Sequence, residues 1–221
     1  TYDVGNFDLL LTRAAEVADA NGFAERRAQD EAKGLLRGQG LCYYIESILG
    51  APDETAKVVF NDDGTVHILV GTQSGGQGHE TVYAQFLSDQ TGIPADLIYV
   101  IQGDSDLIAT GGGTGGSRSV TTQGVATYAT ADALLGEFKP FIADHMKAAN
   151  VSFDAEEGVF RAPGSNTVIT LLEAANLARA AGRSELLIAE QTIELPGRSY
   201  PNGCHIAEVE IDLATGTTPF S

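Results

Sequence analysis

Cysteine, basic charge, tryptophan and long apolar runs are all scarce or missing in this chain, and each shortage excludes something. Only Cys42 and Cys204 occur, far apart and outside any C-x-x-C pattern, so neither a disulfide framework nor a cysteine zinc site is indicated. A reducing, cytoplasmic compartment is the simplest setting. Cys42 falls in the apolar run GLCYYIES and is expected to pack as a small buried hydrophobe. Thirteen Lys and Arg stand against 30 Asp and Glu, a formal charge of −17, which argues against nucleic acid as a partner because that affinity rests on neutralising phosphates. No run approaches the length of a membrane span, so no membrane partner is expected. There is no tryptophan, no signal peptide and no initiator methionine; the one methionine is Met146, deep in the chain. With the abrupt close at TGTTPFS, this suggests residues 1–221 are a segment of a longer polypeptide.

What is abundant is glycine, 26 in 221 residues, and it is concentrated at two places. The alternating run TVHILVGT empties into SGGQGHE and then into TVYAQFLSDQTG, which has helical spacing. A glycine turn between a strand and a helix start leaves backbone N–H groups unpaired and aimed at one point, where the helix dipole adds partial positive charge. The device recurs: the short apolar run Leu97–Asp104 leads through SDLIATGGGTGGSRS into the Ala-rich VTTQGVATYATADALLGEF. Two such nests suit one elongated anionic ligand better than one small ion.

Residues 6–20 carry apolar side chains at spacings of three and four and predict an amphipathic helix, followed by a charged helix over AERRAQDEAK. From Gly34 the period changes to that of strands. GLLRGQGLCYYIES and the NDDG hairpin within KVVFNDDGTVHILVGT predict a three-strand meander leading into the first nest. Gly136 and Pro140 are expected to kink or split the long second-nest helix. Short strands follow near Phe153, Val159–Arg161 and Val168, then a helix from Leu171 to Ala181 with a T-L-L-E capping box at Thr170 and closure at Gly182. The end, ELLIAEQTIEL and CHIAEVEIDLATG, is strand-rich. Strands and helices interleave without a regular βαβ period, so the fold class is α+β, a mixed sheet with packed helices. A subdivision into 1–150, holding both glycine loops, and 151–221 is expected.

Familiar site patterns are tested and mostly fail. SGGQGHE lacks the lysine of a P-loop, and the dinucleotide fingerprint would need a glycine where Thr81 stands. Three hydrogen-bonding side chains, Gln77, His79 and Thr81, stand beside the first turn, more than a plain turn needs. Five glycines in the six positions 111–116 are entropically expensive for a loop with nothing to bind, although a flexible surface loop is the bland alternative. Ser117, Arg118 and Ser119 follow where a helix would begin, placing hydroxyls and a guanidinium beside its N–H groups. Asp104 and Asp106 read as self-capping turn residues rather than metal ligands. HIAEVEID is read with Ala207, Val209 and Ile211 buried and Glu208, Glu210 and Asp212 wet. No Ser-His-Asp order with a nucleophile elbow is visible, and His67 and His145 read as packing or surface residues.

Three blocks, GGQGHETVYAQFLSDQTGIPADLIYVIQGDSD, GGTGGSRSVTTQG and YPNGCHIAEVEIDLATG, resemble signature segments of the molybdenum hydroxylases. This family of xanthine dehydrogenases and aldehyde oxidoreductases includes the aerobic carbon monoxide dehydrogenase large subunits, whose wording is nearest. YDVGNFDLLLTRA and RGQGLCYYIES also resemble that family, so the match runs over essentially the whole chain. The resemblance implies a molybdenum-cofactor-binding domain of a large catalytic subunit, holding molybdopterin, often as its cytosine dinucleotide, by the pyrophosphate. Gly76, Gln77, Gly78, His79 and Thr81 would form one wall, and Gly116, Ser117, Arg118 and Ser119 another. It further implies oxidative hydroxylation with oxygen from water, electrons passing to iron–sulfur and FAD partner subunits. The glutamate base of the family sits in a GxGE motif that this chain does not contain, so this piece by itself is expected to be inactive, with no catalytic and no metal-ligating residue of its own. A stand-alone cofactor-binding module, or a scaffold whose loops bind nothing, stays open as an alternative.

Overall fold

The computed structural model describes residues 2–218. In chain order the elements are α1 (Phe7–Val17), α2 (Phe23–Glu31), β1 (Leu35–Ile45), β2 (Asp53–Phe60), β3 (Val66–Val70), α3 (His79–Thr91), β4 (Ile98–Ile101), α4 (Gly124–His145), β5 (Ser152–Asp154), β6 (Val159–Arg161), β7 (Val168–Thr170), α5 (Leu171–Ala180), β8 (Ile188–Glu194) and β9 (Asn202–Asp212). They fall into two compact units, 49–197 and the pair of terminal stretches 1–48 with 198–221. The division expected near residue 150 is therefore not where the contacts part.

The larger unit carries both glycine loops. Its four-stranded sheet has the order β4-β3-β2-β8, with β3 and β4 parallel and the other pairs antiparallel, hence mixed. The NDDG hairpin forms as expected, joining β2 to β3 with Phe60 opposite Val66. Strict alternation in β2 sends Ala56, Val58 and Phe60 inward, along with Glu54. Val58 and Phe60 meet Ile68 of β3, Leu134 and Phe138 of α4, and Phe160 of the small antiparallel sheet β5-β6-β7 in one core. Helix α5 begins with the anticipated capping box: Thr170 Oγ1 accepts from the Glu173 N–H at 3.2 Å, and Glu173 accepts from the Thr170 N–H at 2.8 Å. Helix α4 is not split. It runs as one helix from Gly124 to His145 with Pro140 inside it.

The terminal unit departs most from expectation. β1 does not join β2 in a meander; it pairs antiparallel with β9 over its full length, from Leu35 opposite Asp212 to Ile45 opposite Asn202. The reason lies in the charges. Arg37 stands opposite Glu210 and Gln39 opposite Glu208, and α2 adds Arg26 and Asp30 over the same face. Arg26 reaches Glu208 at 2.5 Å and Arg37 reaches it at 2.8 Å, while Arg37 also contacts Glu210. The face read as wet, with Glu208, is thus the one the helices cover, and Ala207 is exposed. Cys42 lies on that other face and is exposed, not buried.

The hydrogen bonds from Arg26 hold the Glu208 carboxyl down from 4.5 to about 2, against the upward push of burial, with Arg37 and Gln39 adding to the effect. Both arginines are shifted upward, Arg26 chiefly by its hydrogen bond to Glu208 and Arg37 chiefly by its hydrogen bond to Asp30, with Glu208 next. Because the folded value lies below the unfolded one, this stabilisation is complete above the ordinary glutamate range and drains away as pH falls from about 4.5 toward 2. Amide exchange of β9 followed over that range should show protection lost on acidification in the wild type. Glu208→Gln should show weak protection already at neutral pH and a much flatter acid dependence.

Candidate cofactor-binding site

Strand β3 delivers the chain to the first glycine loop with its backbone already engaged. Gly71 N–H donates to Gln123 Oε1 at 3.1 Å, and Gln123 Nε2 donates to the Thr55 carbonyl at 3.0 Å, so one buried amide ties the end of β3 to β2 and the start of α4. Thr72 Oγ1 lies 2.9 Å from the Tyr83 hydroxyl, which donates to the Ser119 carbonyl at 3.1 Å. Tyr83 is fully buried on α3, and burial pushes its phenol up, keeping it a neutral donor. Residues 71–83 and 119 are thereby brought together.

The two loops are also bonded directly. Thr114 Oγ1 accepts from the Gln73 N–H at 3.1 Å and donates to the Gln73 carbonyl at 2.7 Å, and Ser119 Oγ reaches it at 3.3 Å. Gly113 N–H donates to the Gly71 carbonyl at 3.2 Å. Gly71 and Gly111 approach so closely that a Cβ on Gly71 would sit 2.5 Å from the Gly111 Cα. A cleft of about 270 Å³ opens beside this junction, lined by Gly71, Gln73, Gly103, Asp104, Ile108 and Gly111 among others; it takes in neither Gln77 nor Ser117.

Within the first loop, Gln77 is the organiser. Its Oε1 accepts from the Gly75 N–H at 2.5 Å, which leaves Nε2 to donate to His79 Nε2 at 3.1 Å. His79 therefore carries its proton on Nδ1, and that atom is buried without a partner. Gly78 caps α3 at φ 79°, a left-handed conformation, and offers no side chain to the first turn. Among the described residues, the N–H groups of Gln77, Gly78, His79 and Glu80 find no acceptor. Gln77 and Thr81 are exposed.

In the second loop Gly116 and Ser117 are left-handed in succession, at φ 57° and 55°. A π-helical turn over Ser119–Gln123 then opens α4, and Thr122 Oγ1 is a second buried polar atom without a partner. The N–H groups of Gly116, Ser117 and Ser119 also lack acceptors among the described residues. Arg118 is placed differently from its sequence expectation. Only 1% exposed, its guanidinium points away from solvent to Glu54 at 2.7 Å and to the carbonyls of Ala51, Asp53 and Gly113 at 3.0, 2.6 and 2.8 Å. Glu54 Oε2 also accepts from the Gly112 N–H at 3.1 Å. Arg118 anchors the foot of the loop from inside, its guanidinium engaged by Glu54 and three carbonyls.

Thr114, Tyr83 and Gln123 hold the site together and were not singled out from sequence. Thr114 alone carried a signal, as the one side chain in a run of glycine. Asp104 caps its own turn, accepting from the Asp106 N–H at 2.9 Å. Among the described residues no group of three His, Cys, Asp or Glu gathers as metal ligands, and no helix is long and apolar enough to cross a membrane.

The family model for the molybdopterin cofactor-binding domain matches residues 13–220. The chain is 29% identical to the carbon monoxide dehydrogenase large chain of Afipia carboxidovorans over 97% of its own length and 29% of that protein's. It is 30% identical, over 97% of its length and 29% of the relative's, to the nicotine 6-hydroxylase large subunit of Paenarthrobacter nicotinovorans. Reconstituted CO dehydrogenase from Oligotropha carboxidovorans superposes with a TM-score of 0.80 at 28% identity, over 99% of this chain and 30% of that one. Quinoline 2-oxidoreductase from Pseudomonas putida 86 shares the fold, with a TM-score of 0.78 at 22% identity over 98% of this chain and 30% of that one. The chain thus spans about three-tenths of the length of these relatives. Paired glycine loops on a mixed α+β scaffold and a family match over nearly every residue lead to one conclusion: the chain belongs to the molybdopterin cofactor-binding domain family of the molybdenum hydroxylases.

Proposed function

We propose that this chain is the part of a molybdenum hydroxylase large subunit that grips molybdopterin, in its cytosine dinucleotide form, by the pyrophosphate. The observation that carries the reading is that two glycine loops, each leaving several N–H groups unpaired at a helix entrance, are bonded to each other through Thr114. Unpaired N–H groups at the starts of helices suit an anion, and the donor set fits a diphosphate. Gly76, Gln77, Gly78, His79 and Thr81 supply one wall. Gly116, Ser117 and Ser119 supply the other, with Arg118 acting through the backbone it anchors because its charge is already matched by Glu54.

When bound, the cofactor supplies two-electron chemistry that places an oxygen from water on a carbon centre and passes electrons to iron–sulfur and FAD partner subunits. What this chain contributes is binding and orientation. It has no GxGE glutamate, so the base and the rest of the pocket come from the remainder of the large subunit, in the cytoplasm, and this segment turns over nothing by itself.

In the full-length subunit, Gln77→Ala and Ser117→Ala should each lower molybdenum and cytosine nucleotide content about tenfold, the worth of one hydrogen bond to a charged group. The melting temperature should barely move; parallel loss of metal and of stability would defeat the reading. Thr114→Val, which keeps shape but breaks both bonds to Gln73, should also lose cofactor, and Thr114→Ser should retain it. Glu54→Ala strands a buried guanidinium and should cost about 3–5 kcal/mol in denaturant unfolding, a global effect that separates the loop's foot from its walls.

A further inference from the structure

The described residues of the terminal unit bury little apolar surface beyond an edge-to-face cluster of Tyr2, Phe7, Tyr43 and Tyr200. Among its described residues only Ile48 and Asp30 are buried, while Leu36, Leu41, Tyr44 and Ile45 of its main strand are all exposed. A unit of this length is marginal even with a good core, and a ribbon of two strands is not stable in water without something on its apolar face.

The two faces of the ribbon differ sharply. One holds the Arg37, Glu208 and Glu210 network beneath α2. The other presents Leu36 opposite Ile211, Val209 opposite Gly38, Ala207 opposite Gly40, then Cys42 and Tyr44. It carries no Asp, Glu, Lys or Arg in a chain whose net charge is −17, and its only titratable groups are Cys42, Tyr44 and His205, the last two stacked with ring centroids 5.5 Å apart. Among the described residues the ribbon of these two 11-residue strands takes no third strand.

We propose that this uncovered face is the seat of another segment of the large subunit, which docks on it through an apolar surface and adds to the little apolar burial within residues 1–48 and 198–221. The inference rests on the reading of the chain as part of such a subunit. Two facts select this occupant. The relatives are more than three times as long as the stretch matched here, so ample further chain accompanies the domain in them. A second copy is disfavoured because two bodies of charge −17 repel each other.

Cys42 is a native probe at the centre of the face. With Cys204→Ser removing the other thiol, reaction with an aromatic disulfide reagent is compared in the 221-residue chain and in the full-length polypeptide that carries it. Cys42 should react freely in the former and at least about tenfold more slowly in the latter. Val209→Asp in the full-length protein should restore the fast rate and lower its melting temperature. Equal rates in the two proteins, or a reading frame that holds no further segment, would overturn the proposal. So would protection in the short chain that grows with concentration together with a dimer in light scattering. Molybdenum content separates the two readings: a protected Cys42 in a protein that holds no cofactor would overturn the proposed function and leave the docking surface standing.

Discussion

The glycine loops depend on one buried ion pair. Glu54 enters the core at the first inward position of β2, where alternation would otherwise place an apolar side chain, and Arg118 comes to meet it from the far end of the second loop. Both charges are almost wholly removed from water, an arrangement that holds only because nearly every lone pair and N–H is matched: Glu54 takes the Arg118 guanidinium and the Gly112 and Thr55 N–H groups, and Arg118 takes three carbonyls besides. Such a pair adds little net stability compared with an apolar replacement. Its effect is to specify, because a run of five glycines has no other strong reason to take one course.

From that anchor the geometry propagates outward in short steps. Arg118 fixes Gly112 and Gly113; Gly113 and Thr114 clasp Gly71 and Gln73; Gln123 and Tyr83 bind the same junction to β2, α3 and α4. What is left unpaired is a set of backbone N–H groups at two helix entrances. Among the described residues Arg118 is the one buried arginine or lysine, and its charge goes to internal order. The stretch that matches the molybdopterin cofactor-binding domain, residues 13–220, contains both loops.

The terminal unit follows a different logic. Its order comes largely from charge pairing on one face, where Glu208 is shared by Arg26, Arg37 and Gln39, with a small aromatic cluster of Tyr2, Phe7, Tyr43 and Tyr200 beside it. An ion-pair network at a partly wet surface can set register between β1 and β9, but it supplies little of the apolar burial that usually holds a domain together. The opposite, uncharged face is where that burial is missing.

Much of this was legible in the chain itself: the amphipathic helices, the NDDG hairpin, the capping box at Thr170, the three short strands after residue 150 and the two glycine loops before helices. All of these are short-range, since turns, caps and periods depend on residues within a few positions of one another. The family blocks were legible for the same reason, being contiguous. Tertiary structure alone decided that β1 pairs with β9 rather than β2, that Arg118 turns inward to Glu54, that Thr114 clasps Gln73, and that Cys42 is exposed. Each of these joins or separates residues far apart in the chain, and local pattern says only that a strand has two faces or that an arginine needs a partner. Which partner it finds depends on which complementary group the folded chain brings within hydrogen-bond reach.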